Sequence, residues 1–138
     1  MEGASPARLY ATLVGGALVV AGIIGFFYSA SFGSPGEVDD VFGILAVNAW
    51  HNIVHILTGA IGLLVAGYAA REYALGLGIV YLVVAAWGFI IGSGDSILGF
   101  IPVNTEDNVL HLILGLLGVG AAMATPVSVE RERAAPVT

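Results

Sequence analysis

All three histidines of this 138-residue chain fall in two short runs, NAWHNIVH ending at His55 and NTEDNVLH ending at His111. In the first run His51 and His55 are four residues apart, and in the second so are Asp107 and His111. On a helix such a pair projects from one face, the spacing that lets two side chains hold one ion. Imidazole with carboxylate suits zinc, copper or iron(II). If the two runs meet, His51, His55, Asp107 and His111 form a candidate metal cluster. Other chemistry is poorly provided for. There are no cysteines, which removes disulfides, thiolate metal sites and cysteine nucleophiles. The sequence has no nucleophile–base pair, phosphate loop or complete hydrolase constellation, so the expectation is that the protein is not an enzyme.

The two runs belong to a longer repeat. FGILAVN, ending at Asn48, and LGFIPVN, ending at Asn104, are related by an offset of 56 residues. The same offset carries Asn48, Asn52, His55, Gly59 and Gly62 onto Asn104, Asn108, His111, Gly115 and Gly118. These positions advance by alternating steps of four and three, which makes one stripe on a helix. The stripe has an ordinary structural reading. Asn48 and Asn104 can cap helix starts, with Thr105 competing for the second cap. The glycines permit close helix approach. The histidines can bond to one another or to Asn52 and Asn108, each bond worth roughly 0.6–2 kcal/mol in a membrane. This reading ranks first: a non-enzymatic structural or accessory protein with an Asn/His/Gly seam through which helices two and four face each other or the bundle axis. A metal site ranks second. Transport of a proton or small solute by an oligomer ranks third, because the polar groups cluster near one end of their helices and not at mid-depth. Haem ranks below a simple ion, since its propionates favour Arg or Lys and the histidine end has none. The cofactor is otherwise left unknown.

The elements that position these residues are membrane helices. The chain is 58% hydrophobic and 10% charged, with mean hydropathy +0.96, against roughly 25% charged in soluble domains. Four apolar stretches, Leu9–Tyr28, Ala49–Ala70, Tyr73–Ile91 and Val109–Ala124, each approach the ~20 residues that cross a bilayer. The last needs its polar start, Thr105–Asn108, to be long enough. Backbone groups in lipid must be satisfied internally, so the stretches read as helices. The first is too long for a signal-peptide core and is expected to be retained. The fold expected is an all-α membrane protein: four transmembrane helices made of two parallel copies of a hairpin. Residues 1–125 form the domain, with repeats at 8–70 and 73–124, and 126–138 form a disordered cytoplasmic tail.

Arg8, Arg71, Arg131 and Arg133 all fall on one side of this arrangement. The opposite connections carry Glu37, Asp39, Asp40, Asp95, Glu106 and Asp107 and no basic residue. The positive-inside rule then places both termini in the cytoplasm, in a multi-pass protein of the cytoplasmic (inner) membrane. Net charge is −6 with four basic residues, too few to neutralise phosphates, so no nucleic-acid partner is expected. The bilayer is the expected partner, with self-association or another membrane protein open; Gly88 and Gly92 could serve an oligomer, though packing within the chain is the simpler use. Gly33, Pro35 and Gly36 make the Ser31–Asp40 loop a mobile one. FGILAVN and LGFIPVN, apolar but short, should lie as lids at the outer interface.

The runs NAWHNIVHILTGAIGLL and VNTEDNVLHLILGLLGV, each with an Asn–His–Gly–Gly core, resemble those of small four-helix prokaryotic membrane proteins grouped as domain of unknown function 4383. The resemblance covers most of residues 8–124. It implies the four-helix membrane fold and no activity or functional residue.

Overall fold

The computed structural model describes residues 4–32 and 39–127. Most of the loop expected to be mobile, and the expected tail beyond residue 127, lie outside the described residues. Four helices carry the chain: α1 (Pro6–Tyr28), α2 (Ala49–Val65), α3 (Ala70–Ile91) and α4 (Thr105–Met123). Two two-stranded antiparallel hairpins sit between them, β1 (Asp39–Val41) with β2 (Leu45–Val47), and β3 (Ser96–Ile97) with β4 (Ile101–Pro102).

Helices α1, α3 and α4 are long and apolar enough to cross a membrane, and α2, at 17 residues, is shorter. The stretch expected to run to Ala70 stops at Val65, where the Tyr68 and Ala69 N–H groups both turn back onto the Val65 carbonyl. Arg71 consequently lies in the first turn of α3 and not in the connection. Phe27, Ile90 and Met123 are 78–85% exposed. A surface of that kind is stable against acyl chains and not against water.

The helix starts follow their sequence signals. Ser5 caps α1 ahead of Pro6, whose missing N–H costs nothing in a first turn. Asn48 Oδ1 accepts from His51 N–H at 2.9 Å. At α4 the cap is Asn104, not Thr105: Asn104 Oδ1 accepts from Asp107 N–H (2.8 Å), and Asp107 Oδ2 accepts from Asn104 N–H (3.2 Å). Thr105 instead pairs its hydroxyl with Ser93 at 2.8 Å.

The segments expected as lids are the two β-hairpins. Phe42 and Gly43 turn the first with φ of 55° and 70°, and Leu98 and Gly99 turn the second with φ of 54° and 79°. Positive φ at both central residues matches the right-handed twist of paired strands. Phe42 and Leu98 hold that conformation against their own side chains. The hairpins interlock through the caps. Asn48 Nδ2 donates to the Phe100 carbonyl and Asn104 Nδ2 to the Ile44 carbonyl, each at 2.6 Å. Each asparagine therefore starts its own helix and grips the other turn.

The stripe of α2 and α4 does not join those two helices along their length. α1 packs along α2 and α3 along α4, and those two contacts dominate. A Cβ on Gly59 would lie 2.5 Å from the Gly15 carbonyl, and one on Gly115 would lie 3.0 Å from that of Gly78. Gly59 and Gly115 thus bring α2 onto α1 and α4 onto α3, which corrects the expectation of a seam between α2 and α4. Asn52 and Asn108 serve the same contacts, lying against Gly25 and Gly88, with Asn52 Nδ2 donating to the Ser29 carbonyl at 2.9 Å.

The helix pairs meet through two tyrosines. Tyr10 of α1 donates to the Leu114 carbonyl of α4 (2.9 Å), and Tyr73 of α3 donates to the Thr58 carbonyl of α2 (3.0 Å). Gly118 makes room for Tyr10 and Gly62 for Tyr73. Thr125 Oγ1 accepts from Ala7 N–H at 2.9 Å and ties the end of α4 to the start of α1. The core between these contacts is lined by small residues, Ala7, Ala11, Ala70, Ala74 and Ala122, the composition that lets membrane helices approach.

Candidate metal centre

What α2 and α4 do share is their histidines. His51 and His55 stand on successive turns of α2, their ring centroids 4.4 Å apart. The His111 ring of α4 comes within 6.1 Å of His51. One ligand nitrogen from each can be chosen so that all three lie within 4.8 Å of one another. His51 and His111 are buried and His55 is half-buried.

The local chain sets each ring. Capping by Asn48 starts α2 three residues before His51 and so fixes where that side chain leaves the helix. Its Nδ1 lies 2.9 Å from the Ala46 carbonyl. A carbonyl only accepts, so Nδ1 carries the proton and Nε2 keeps its lone pair. A backbone acceptor behind the ring is the arrangement that orients a metal-binding imidazole. Tyr81 of α3 lies flat on His111, centroids 5.0 Å apart and planes 17° from parallel. Nδ1 of His111 is buried with no hydrogen-bond partner. The carboxamide oxygens of Asn52 and Asn108 are also without hydrogen bonds, so histidine–asparagine bonding does not hold these helices together.

Asp107, the fourth residue of the sequence-derived cluster, is not among the converging groups. Its Oδ2 accepts from Ala46 N–H at 3.0 Å as well as from Asn104 N–H. The carboxylate closes the α4 cap and clamps the first hairpin across the helix pairs. His51, which stands 56 residues earlier, uses the same residue from the other side, through the Ala46 carbonyl. The residue 56 beyond Ala46 is Pro102, which has no N–H to offer. The starts of α2 and α4 are therefore not interchangeable, and His51 and Asp107 take different work.

Three imidazole nitrogens within 4.8 Å of one another could hold a transition-metal ion and would leave a coordination position open. Two cavities flank the cluster. The larger, about 390 Å³, lies between α1, α4 and the first hairpin, with His55, Tyr81, Asp107 and His111 in its wall. The smaller, about 70 Å³, lies between α2, α3 and the second hairpin and reaches all three histidines and Tyr81.

Sequence reasoning gives Tyr10 and Tyr73 only as interfacial anchors near the cytoplasmic boundary, and it misses Tyr81 and Ala46. Tyr81 carried a usable signal, a hydroxyl inside an otherwise apolar membrane segment. Tyr10 and Tyr73 carried another. An offset of 63 aligns α1 with α3 and matches Ala7, Arg8, Tyr10, Ala11, Gly15 and Gly25 to Ala70, Arg71, Tyr73, Ala74, Gly78 and Gly88. A search at 56 cannot see it. Ala46 gave no signal, since it acts only through its backbone.

Neither a curated protein nor a solved structure matches the chain. Residues 8–124 match the family model described as Domain of unknown function (DUF4383), and with four helices in that span the chain belongs to this family.

Proposed function

We propose that this chain is a small polytopic membrane protein that binds one transition-metal ion through His51, His55 and His111. The observation that carries the reading is the convergence of three ligand nitrogens within 4.8 Å at a site where two of the rings are buried. Burying a polar group without a partner is unfavourable, as His111 Nδ1 is buried among the described residues, and an ion held by the three rings would satisfy such a group. The second support is the Ala46 carbonyl behind His51, which leaves Nε2 as the ligand. Zinc, copper or iron(II) suits the donors. Asp107 supplies a nearby negative charge and structural support, not a bond to the ion. The reading is one of binding, not catalysis.

The setting we propose is a four-helix bundle with all four helices crossing the bilayer. At 1.5 Å per residue α2 is about 25 Å long, near the lower limit for a span. The bundle is a duplicated hairpin, α1–α2 and α3–α4. Matching caps, matching positive-φ turns and the paired offsets of 56 and 63 support this, loop one being seven residues longer than its counterpart. Arg8 and Arg71 sit at the end opposite the β-hairpins, which favours cytoplasmic termini and an outer-facing metal centre in the cytoplasmic membrane.

Metal analysis of protein purified in lipid nanodiscs tests the proposal. One equivalent of zinc, copper or iron per chain is expected, falling below a tenth of that in His55→Ala and His111→Ala. Protein that stays metal-free after incubation with each ion, or that keeps its metal in the double variant, refutes it.

A further inference from the structure

We infer that the larger cavity takes a neutral, lipid-soluble molecule, which enters sideways from the bilayer and sets an oxygen-bearing head at the histidine centre. The volume, about 390 Å³, falls within the range of small-molecule sites. Its walls are almost wholly apolar, and the polar groups that reach it come from His55, Asp107, His111 and Tyr81. A ligand that fits has an apolar body and one polar end.

The direction of entry follows from exposure. Leu13, Ala17, Ala21 and Leu110 line the cavity and are all exposed on the outer faces of α1 and α4. In a membrane those faces meet acyl chains. The mouth therefore opens to lipid, between two helices that pack mainly against other partners. The polar residues of the wall gather at one place, where His55 and His111 of the histidine centre and the Tyr81 ring stacked on His111 meet the cavity, so a polar head belongs at that end.

Charge selects the head. Among the described residues no Lys or Arg lines the cavity and Asp107 does, so a carboxylate or phosphate head meets no cation there. An ammonium would be buried beside the ion. A neutral carbonyl or hydroxyl oxygen meets neither penalty. Such a head would lie against His55 and His111, the two residues of the histidine centre in the cavity wall. The inference rests on the metal reading for the partner of the head, and on the cavity alone for the seat of the body.

The probe is decylubiquinone, which has a neutral carbonyl head and a ten-carbon tail, titrated into metal-loaded protein in phosphatidylcholine nanodiscs, with palmitate as the anionic comparison. The expected result is one saturable equivalent of quinone, palmitate at least tenfold weaker, and at least tenfold weaker quinone binding when the metal is stripped. Ala17→Phe fills the mouth and should weaken the quinone at least tenfold with metal content unchanged. Loaded protein without saturable quinone binding, palmitate bound as tightly, or an indifferent Ala17→Phe overturns the inference and leaves the metal reading standing. Protein that takes up no metal on incubation with each ion, yet binds quinone in an Ala17-dependent way, overturns the metal reading and supports the cavity.

Discussion

Asp107→Ala separates a carboxylate that binds metal from one that holds the scaffold. In the structure Asp107 Oδ2 takes two backbone N–H groups, Ala46 at 3.0 Å and Asn104 at 3.2 Å, with Asp107 only 3% and Ala46 5% exposed. Alanine leaves both donors without their acceptor, at about 1–3 kcal/mol each, so about 2–6 kcal/mol together. A loss of that size is a large part of the roughly 5–15 kcal/mol that separates folded from unfolded proteins. Asp107→Asn is the control. Its amide oxygen can take the place of Oδ2 and accept both N–H groups, so it should cost under about 1.5 kcal/mol. The assay is reversible unfolding of metal-stripped protein in mixed micelles, followed by helical circular dichroism, with metal affinity measured separately. The expected order is wild type, then Asn, then Ala, with metal affinity in Asp107→Asn within tenfold of wild type. If both variants keep the stability of stripped wild type while losing metal a hundredfold or more, Asp107 is a ligand and the clamp argument is wrong.

Three other outcomes follow from the same geometry. Gly88→Val would drive its side chain into the Asn108 carboxamide, and the mirrored Gly25→Val into that of Asn52, each costing about 1–3 kcal/mol by overpacking; Gly16→Ala, with open space around it, should be neutral in the same unfolding assay. Metal affinity should fall once the pH is low enough to protonate the buried imidazoles, because protons then compete for the same lone pairs; equilibrium dialysis carried down to about pH 4 and showing no dependence would argue against histidine ligation. Single cysteines at Asp95 and Gly67 should react with a membrane-impermeant maleimide from opposite sides of oriented vesicles, Asp95 from outside; labelling of both from one side refutes the topology.

The sequence by itself determined what depends on local properties. Hydropathy marks the helices because each backbone in lipid must satisfy its own hydrogen bonds, whatever its neighbours are. The Asn caps follow from the unpaired N–H groups of a helix start, and the spacing of His51 and His55 follows from helix geometry alone. Even so, α2 stops a turn early, because a short connection to α3 needs the residues that hydropathy assigns to the helix.

Only the tertiary structure decided how the stripe is shared out. One helix face can meet two neighbours, and sequence does not say which residue meets which. Gly59 and Gly115 went to the partner helix within each hairpin, Gly62 to Tyr73 of the other, Gly118 to both Ala74 of its partner helix and Tyr10 of the other, and the histidines to one another. Asp107 was diverted from the cluster by the Ala46 N–H, a donor common to almost every residue and therefore silent in a sequence. Its role depends on two backbones 61 residues apart arriving within hydrogen-bond distance, and that distance is set by the packing of the whole chain.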